Sequence, residues 1–293
     1  MTFLKYFIAF VAGFSIFVLG VTFGHYKYPP YSFLLNVKNS LINARVPINR
    51  ERLGLCNLQV VRHVEEGSHA FIGHAYGKPR NNSETDFLAL NVLNFIQKNN
   101  HKLKSVSFTG DVFAVPSLKK WARLNALSKK RMIFIAPGNH DVARPDSFDV
   151  FNIGPFGVSY PFLEILDGVP VVYDDSVSSN WLISSQTKEL VNSQASQNVV
   201  IARHNIPVSE LLHLANSKAG MSNLLPDLNE FVRGFRADVR YTWLIGDSGA
   251  FPKLPRLSCI QYSNHTFIAN GIGEVLGDSV VLFKDGNFYK HEL

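Results

Sequence analysis

Five short runs rich in β-branched and aromatic residues each lead straight into residues able to do chemistry, and no other feature constrains the fold as much. The runs are His69–Gly73, Ser105–Thr109, Met132–Ala136, Val199–Arg203 and Tyr241–Ile245. At their ends stand Gly73-His74, Gly110-Asp111, Gly138-Asn139-His140-Asp141, Arg203-His204 and Gly246-Asp247. Between the runs, apolar residues recur at helical spacing, which predicts helices from a Ser83 cap through Gln97, from Ser117 through Ser128 and from Ser185 through Ala195. Such alternation is the pattern of an α/β domain whose sheet is covered on both faces. In an open α/β sheet, residues beyond the carboxyl ends of the strands converge on one crevice. The polar residues after the five runs are therefore expected to meet. The tail from Pro255 to Phe288, with turns at Gly271–Gly273 and Asp285-Gly286, reads as an antiparallel closing sheet.

The amino-terminal part is of another kind. From Tyr6 to Gly24 there is no charged residue, and a helix rising about 1.5 Å per residue over this length just crosses a hydrocarbon core of about 30 Å. We read residues 1–25 as a single transmembrane anchor. A cleaved signal peptide is the alternative, but the apolar stretch is long for one and no A-x-A site follows. Tyr26, Tyr28 and Tyr31 fall where headgroups would begin. Residues 26–67 read as a basic linker with one short helix around Leu34–Ile42, and residues 68–293 as the α/β domain.

Charge follows the same division. Of the formal +6, residues 1–60 contribute six Lys or Arg against one acid, leaving 23 against 22 for the rest. A nearly neutral main domain argues against nucleic acid, and the basic linker suits acidic lipid headgroups instead. Cys56 and Cys259, the two cysteines, can form one bridge at most and belong to no Cys-x-x-Cys zinc pattern. The soluble domain is expected on the extracytoplasmic side of a single-pass membrane protein, and the sequence sets no oligomeric state.

His, Asp, Asn, His and Asp delivered by separate segments are nitrogen and oxygen donors suited to a borderline divalent ion such as Mn²⁺, Zn²⁺ or Fe²⁺. Thr109-Gly110-Asp111, Pro137-Gly138-Asn139-His140-Asp141 and Arg203-His204-Asn205-Ile206-Pro207, in that order, resemble the middle motifs of the calcineurin-like metallophosphoesterases. The resemblance covers roughly residues 69–290, and the Gly-Asn-His-Asp block is its specific part. It implies a four-layer α/β/β/α sandwich following the transmembrane helix, a centre for one or two divalent metal ions, and hydrolysis of a phosphoester substrate by metal-activated water.

By that resemblance Asp111 bridges two metals, Asn139 and His204 hold the second, and His140 with Asp141 forms the dyad beside the leaving group. The family's first motif, Asp-x-His-Gly, is matched only by His74-Ala75-Tyr76-Gly77, and its last, Gly-His-x-His, by Gly246-Asp247-Ser248-Gly249. The second metal keeps Asp111, Asn139, His204 and Asp247. The first is left with Asp111, His74 and at most Tyr76, because Gly249 offers no side chain. Tyr76 is read as a packing or substrate-contact residue rather than a ligand.

Ordinary turn chemistry explains a lone Gly-Asp, and Asp247 in Gly-Asp-Ser-Gly could serve an Asx-turn. A Gly-Asn-His-Asp block exceeds what a turn needs. The expected function is a membrane-anchored phosphoesterase. The alternative is a catalytically impaired relative that keeps the fold as a scaffold or binding module in a membrane assembly.

Overall fold

The computed structural model describes residues 54–77, 87–127, 132–142, 150–214, 225–247, 257–274 and 277–293. The apolar segment Tyr6–Gly24 and the expected helix at Leu34–Ile42 lie outside them. Among the described residues no helix is long and apolar enough to cross a membrane.

In chain order the strands are β1 (Gly54–Leu55), β2 (Gln59–Val60), β3 (Ser68–Ile72), β4 (Leu103–Phe108), β5 (Met132–Ile135), β6 (Phe162–Leu166), β7 (Val169–Tyr173), β8 (Asn198–Arg203), β9 (Arg240–Ile245), β10 (Leu257–Tyr262), β11 (His265–Asn270), β12 (Ser279–Lys284) and β13 (Asn287–Glu292). The helices are α1 (Leu90–Lys98), α2 (Leu118–Leu127), α3 (Asn139–Val142), α4 (Ser185–Asn192), α5 (Ser209–Leu214) and α6 (Leu228–Val232). They build two mixed sheets, one ordered β1-β10-β11-β9-β8-β7-β6 and the other β2-β13-β12-β3-β4-β5.

Side chains alternate between two cores along each strand, as a period of two requires. In β3, Ala70 and Ile72 face the helices α1 and α2, while Phe71 faces the other sheet. In β8, Val199 and Ile201 pack towards α4 and α6 and Val200 and Ala202 point inward. The layers therefore run helix, sheet, sheet, helix, with a third apolar core between the sheets that includes Phe71, Val171, Tyr173, Leu244 and Phe283. This is the α/β/β/α arrangement expected from the motifs.

Several sequence expectations need correction. Helix α1 begins at Leu90, and Ala89 stands at its amino end without a side-chain cap; Ser83 lies outside the described residues. Helix α4 is capped by Ser184, whose side chain accepts the Thr187 N–H, and it ends at Asn192. The folded body reaches back to at least Gly54, because β1 pairs with β10 and β2 with β13. The linker thus ends well before residue 67. The tail is not one closing sheet but two hairpins: β10–β11 joins the first sheet through β9, and β12–β13 joins the second through β3. Strands β6 and β7 form a further hairpin, closed at Asp167-Gly168, a strong hairpin signature between two β-rich runs.

Cys56 and Cys259 are joined in a disulfide with Cα atoms 5.0 Å apart, closing a sequence separation of 203. The link ties the residue after β1 to β10, the strand paired with the β1 edge of the first sheet.

Candidate metal centre and active-site crevice

Strands β3 and β4 run parallel to β5 in one sheet, as do β8 and β9 in the other, so the loops after their carboxyl ends come together. The backbone in two of those loops is unusual. His74 and Asp111 both have positive φ, 51° and 55°, a left-handed conformation uncommon for side-chain-bearing residues. Gly110 before Asp111 is also left-handed at φ 91°, and a Cβ there would collide with the His204 ring. Gly138 is pressed against the backbone nitrogen and carboxylate of Asp111. The crevice is thus packed so closely that these glycines are demanded by the approach of neighbouring loops.

Most of the predicted residues meet here. His204 Nε2 lies 3.2 Å from Asn139 Oδ1, 3.5 Å from Asp111 Oδ1 and 3.6 Å from Asp247 Oδ1. On the far side of Asp111, Oδ2 is 3.8 Å from His74 Nε2. Both imidazoles are oriented from behind: His204 Nδ1 is 3.2 Å from the Thr109 carbonyl and His74 Nδ1 is 3.1 Å from the Ile272 carbonyl. A carbonyl only accepts, so each Nδ1 carries the proton and each Nε2 turns a lone pair inward. Every atom that converges is an electron-pair donor. Asp247 Oδ2, also buried, has no hydrogen-bond partner among the described residues.

Electrostatics follow from this crowding. Burial pushes the Asp111 carboxyl up, but the imidazoles of His204, His140 and His74 and the His140 N–H together hold it below the ordinary range. Burial pushes His74 down, outweighing the pull of Asp111, and so favours its neutral, ligating form. Tyr76 is pushed well up by burial and by the Asp111 and Asp247 charges, so its phenol stays protonated.

The expected dyad is arranged differently. His140 Nδ1 is 2.8 Å from the Ala114 carbonyl, which accepts its proton, and Nε2 is 3.4 Å from the Tyr76 hydroxyl. Asp141 does not orient this ring. Its fully buried carboxylate accepts the N–H groups of Gly138 and Asp111, each at 2.9 Å, and of Val112 at 3.2 Å. It pins the Gly138 turn to the Asp111 turn and is a positioning residue. Burial, then the Asp111 charge, pushes its carboxyl up.

Ala114, Thr109 and Ile272 escape sequence reasoning because they act through backbone oxygens. The motif reading assigns no role to Arg203. It is buried and spans the loop behind the crevice, donating to Asn205 O at 2.8 Å and Trp181 O at 2.6 Å and pairing with Asp174 at 3.2 Å. A charged residue closing an apolar strand was the available signal.

Fold and crevice together define a class: a two-sheet α/β/β/α sandwich with histidines, carboxylates and an amide gathered at the carboxyl ends of parallel strands. No protein-family model matches the sequence, and no curated protein matches it. Among solved structures it is similar to the phosphopantetheinyl hydrolase from Mycobacterium tuberculosis, with a TM-score of 0.40 and 12% identity over 72% of this chain and 92% of that one. It is also similar to the 5'-nucleotidase from Candida albicans SC5314, with a TM-score of 0.41 and 11% identity over 77% of this chain and 49% of that one. Likeness at this level carries no functional argument, so function must be read from the crevice.

Proposed function

We propose that the chain is a membrane-anchored, metal-dependent phosphoesterase. The observation that carries this reading is the convergence on His204 Nε2 of three oxygen acceptors at 3.2–3.6 Å, with no donor among them. Lone pairs facing lone pairs are tolerated in a buried site only with a cation or protons between them. Donor atoms bound about 2.1 Å from one tetrahedral ion lie about 3.4 Å apart, which is the spacing found. Among the described residues no group of three or more His, Cys, Asp or Glu side chains is placed to hold a metal ion as it stands. An ion held by Asp111, Asn139, His204 and Asp247 would have to draw these donors closer around itself. His74 on the other oxygen of Asp111 offers a thinner position for a second ion.

A divalent ion bound there supplies charge that polarises a phosphoryl oxygen and acidifies water. The chain's own groups do the rest. His140, with its ring fixed through Nδ1–H to the Ala114 carbonyl, can pass a proton from Nε2 to the leaving oxygen when it is in the imidazolium form. Tyr76 keeps a hydroxyl proton beside it and can donate to His140 or to a phosphoryl oxygen. Asp141 keeps the two turns in register.

The disulfide supports an oxidising, extracytoplasmic location for the domain. The apolar segment Tyr6–Gly24 supports the anchor. A scaffold without catalysis is favoured by the thin ligand set around His74. The deciding experiment is metal content per chain after gentle purification, with hydrolysis of an aryl phosphate under Mn²⁺, Zn²⁺ or Fe²⁺. Fewer than two tightly held ions and turnover above a metal-only control are expected. No turnover on any monoester, diester or pyrophosphate would leave the scaffold.

A further inference from the structure

A second site lies away from the crevice. Between α1, the segment after β2 and the end of β13 is a cleft of about 320 Å³, a volume able to hold a small ligand group. Its walls carry Arg62, His63, Lys98, Lys102 and His291, with the buried ring of Phe95 at its base. Lys102 precedes β4 and Lys98 ends α1, whereas Asp111 lies beyond the opposite end of β4. None of the crevice residues lines the cleft.

These cations stand together around one hollow and are not spent in ion pairs. Lys104 pairs with Asp167, Lys284 with Glu65 and Lys290 with Glu292, each at 2.7 Å. Among the described residues Arg62, Lys98 and Lys102 have no carboxylate within ion-pairing distance. The acid on the wall, Glu292, is the one already held by Lys290. The carboxyl end of α1 accounts for Lys98 by its dipole, but not for Arg62 or Lys102. His291 is fixed by its Nδ1, 3.1 Å from the Val61 carbonyl, and its ring stands 5.4 Å from that of Phe95. That leaves Nε2 unassigned. Burial, then the Lys98 and His63 charges, push this imidazole down, which marks a positive field converging on the cleft.

We propose that this cleft binds a phosphate group, carried either by a soluble phosphorylated molecule or by an anionic lipid headgroup. One guanidinium, two ammoniums and two imidazoles around a single hollow match a compact, multiply charged anion, and the guanidinium can grip it through two N–H groups.

The test uses the full chain in nanodiscs of neutral phosphatidylcholine and in nanodiscs containing phosphatidylglycerol, followed by hydrogen exchange at residues 90–102 and 287–293. Inorganic phosphate and pyrophosphate are titrated into the neutral discs. Protection by the soluble anions assigns a soluble source; protection only in phosphatidylglycerol discs assigns a lipid headgroup. Either must be lost in Lys98→Gln/Lys102→Gln, whose affinity is expected to fall about 10²-fold, at about tenfold per charged hydrogen bond. Arg62→Gln, a single change at an exposed position, gives the same readout if the double variant folds poorly. Protection under neither condition, or protection that survives these substitutions, overturns the proposal.

Discussion

Replacing Asp111 by Asn is the most direct perturbation of the proposed metal centre, because this carboxylate reaches both His204 and His74, at 3.5 and 3.8 Å. The change is nearly isosteric. Asn keeps an oxygen to accept the His140 N–H, now 3.0 Å from Oδ1, so the turn retains its hydrogen bond. What is lost is the charge between the two imidazoles. An ion present at 100 times its dissociation constant stabilises the folded wild-type chain by about 2.7 kcal/mol. For a domain of this size that raises Tm by about 5–10 °C. Loss of a charged ligand worth a hundredfold in affinity leaves the variant at half saturation, where the stabilisation is only about 0.4 kcal/mol and Tm moves by about 1 °C. The assay is a thermal melt of metal-stripped protein with Mn²⁺ or Zn²⁺ added stepwise, with circular dichroism to verify folding. A wild-type Tm that ignores both metals, or an equal rise in Asp111→Asn, would refute the assignment of ligands.

The proposed proton-transfer role of His140 predicts that His140→Ala lowers kcat by about 10²–10⁴ while metal content stays unchanged, since His140 is not among the ligands; turnover and bound metal measured on one preparation check both. Acid sensitivity is expected from His265, whose Nδ1 accepts the Trp243 indole N–H at 2.9 Å and which burial pushes down to about 4. The unfolded chain takes up this proton first as pH falls, so the contribution is complete above pH 6.5 and lost towards pH 4. Between pH 7 and pH 5 the loss is about 2 kcal/mol, read from urea midpoints, and His265→Phe should flatten that slope while lowering stability at pH 7. Cys56→Ser should cost about 2–5 kcal/mol, measured by the same denaturation.

The five runs are legible because each is short and apolar and leads into a polar residue, with a glycine between in four of them, a pattern local enough to be seen in a few consecutive letters. The convergence of Asp111, Asn139, His204 and Asp247 followed from the rule that places function at carboxyl strand ends, without any contact being known. Asp141 was misjudged for the opposite reason. Its partners are backbone N–H groups of Gly138, Asp111 and Val112, and two of these lie about thirty positions away, where no side-chain code announces them. The fates of β10–β13 were equally hidden, since two hairpins of similar composition join different sheets and only tertiary packing decides which. The pairing of Cys56 with Cys259 depends on β10 lying beside β1, a fact of topology rather than of spacing.

The disulfide has a mechanical consequence. Under the proposed membrane anchoring, load would enter the described fold at β1, which is only two residues long. Two residues of ladder would peel apart bond by bond under a steady load, like a zip opened from its end. The link from Cys56 to Cys259 follows directly after β1 and carries the strain covalently into β10. From there it reaches β11 along six paired residues, loaded in parallel as shear. Such a load would be taken up at the outer edge of the first sheet. The crevice, on the loops that follow β3, β4, β5, β8 and β9, lies beyond that edge and would keep its geometry.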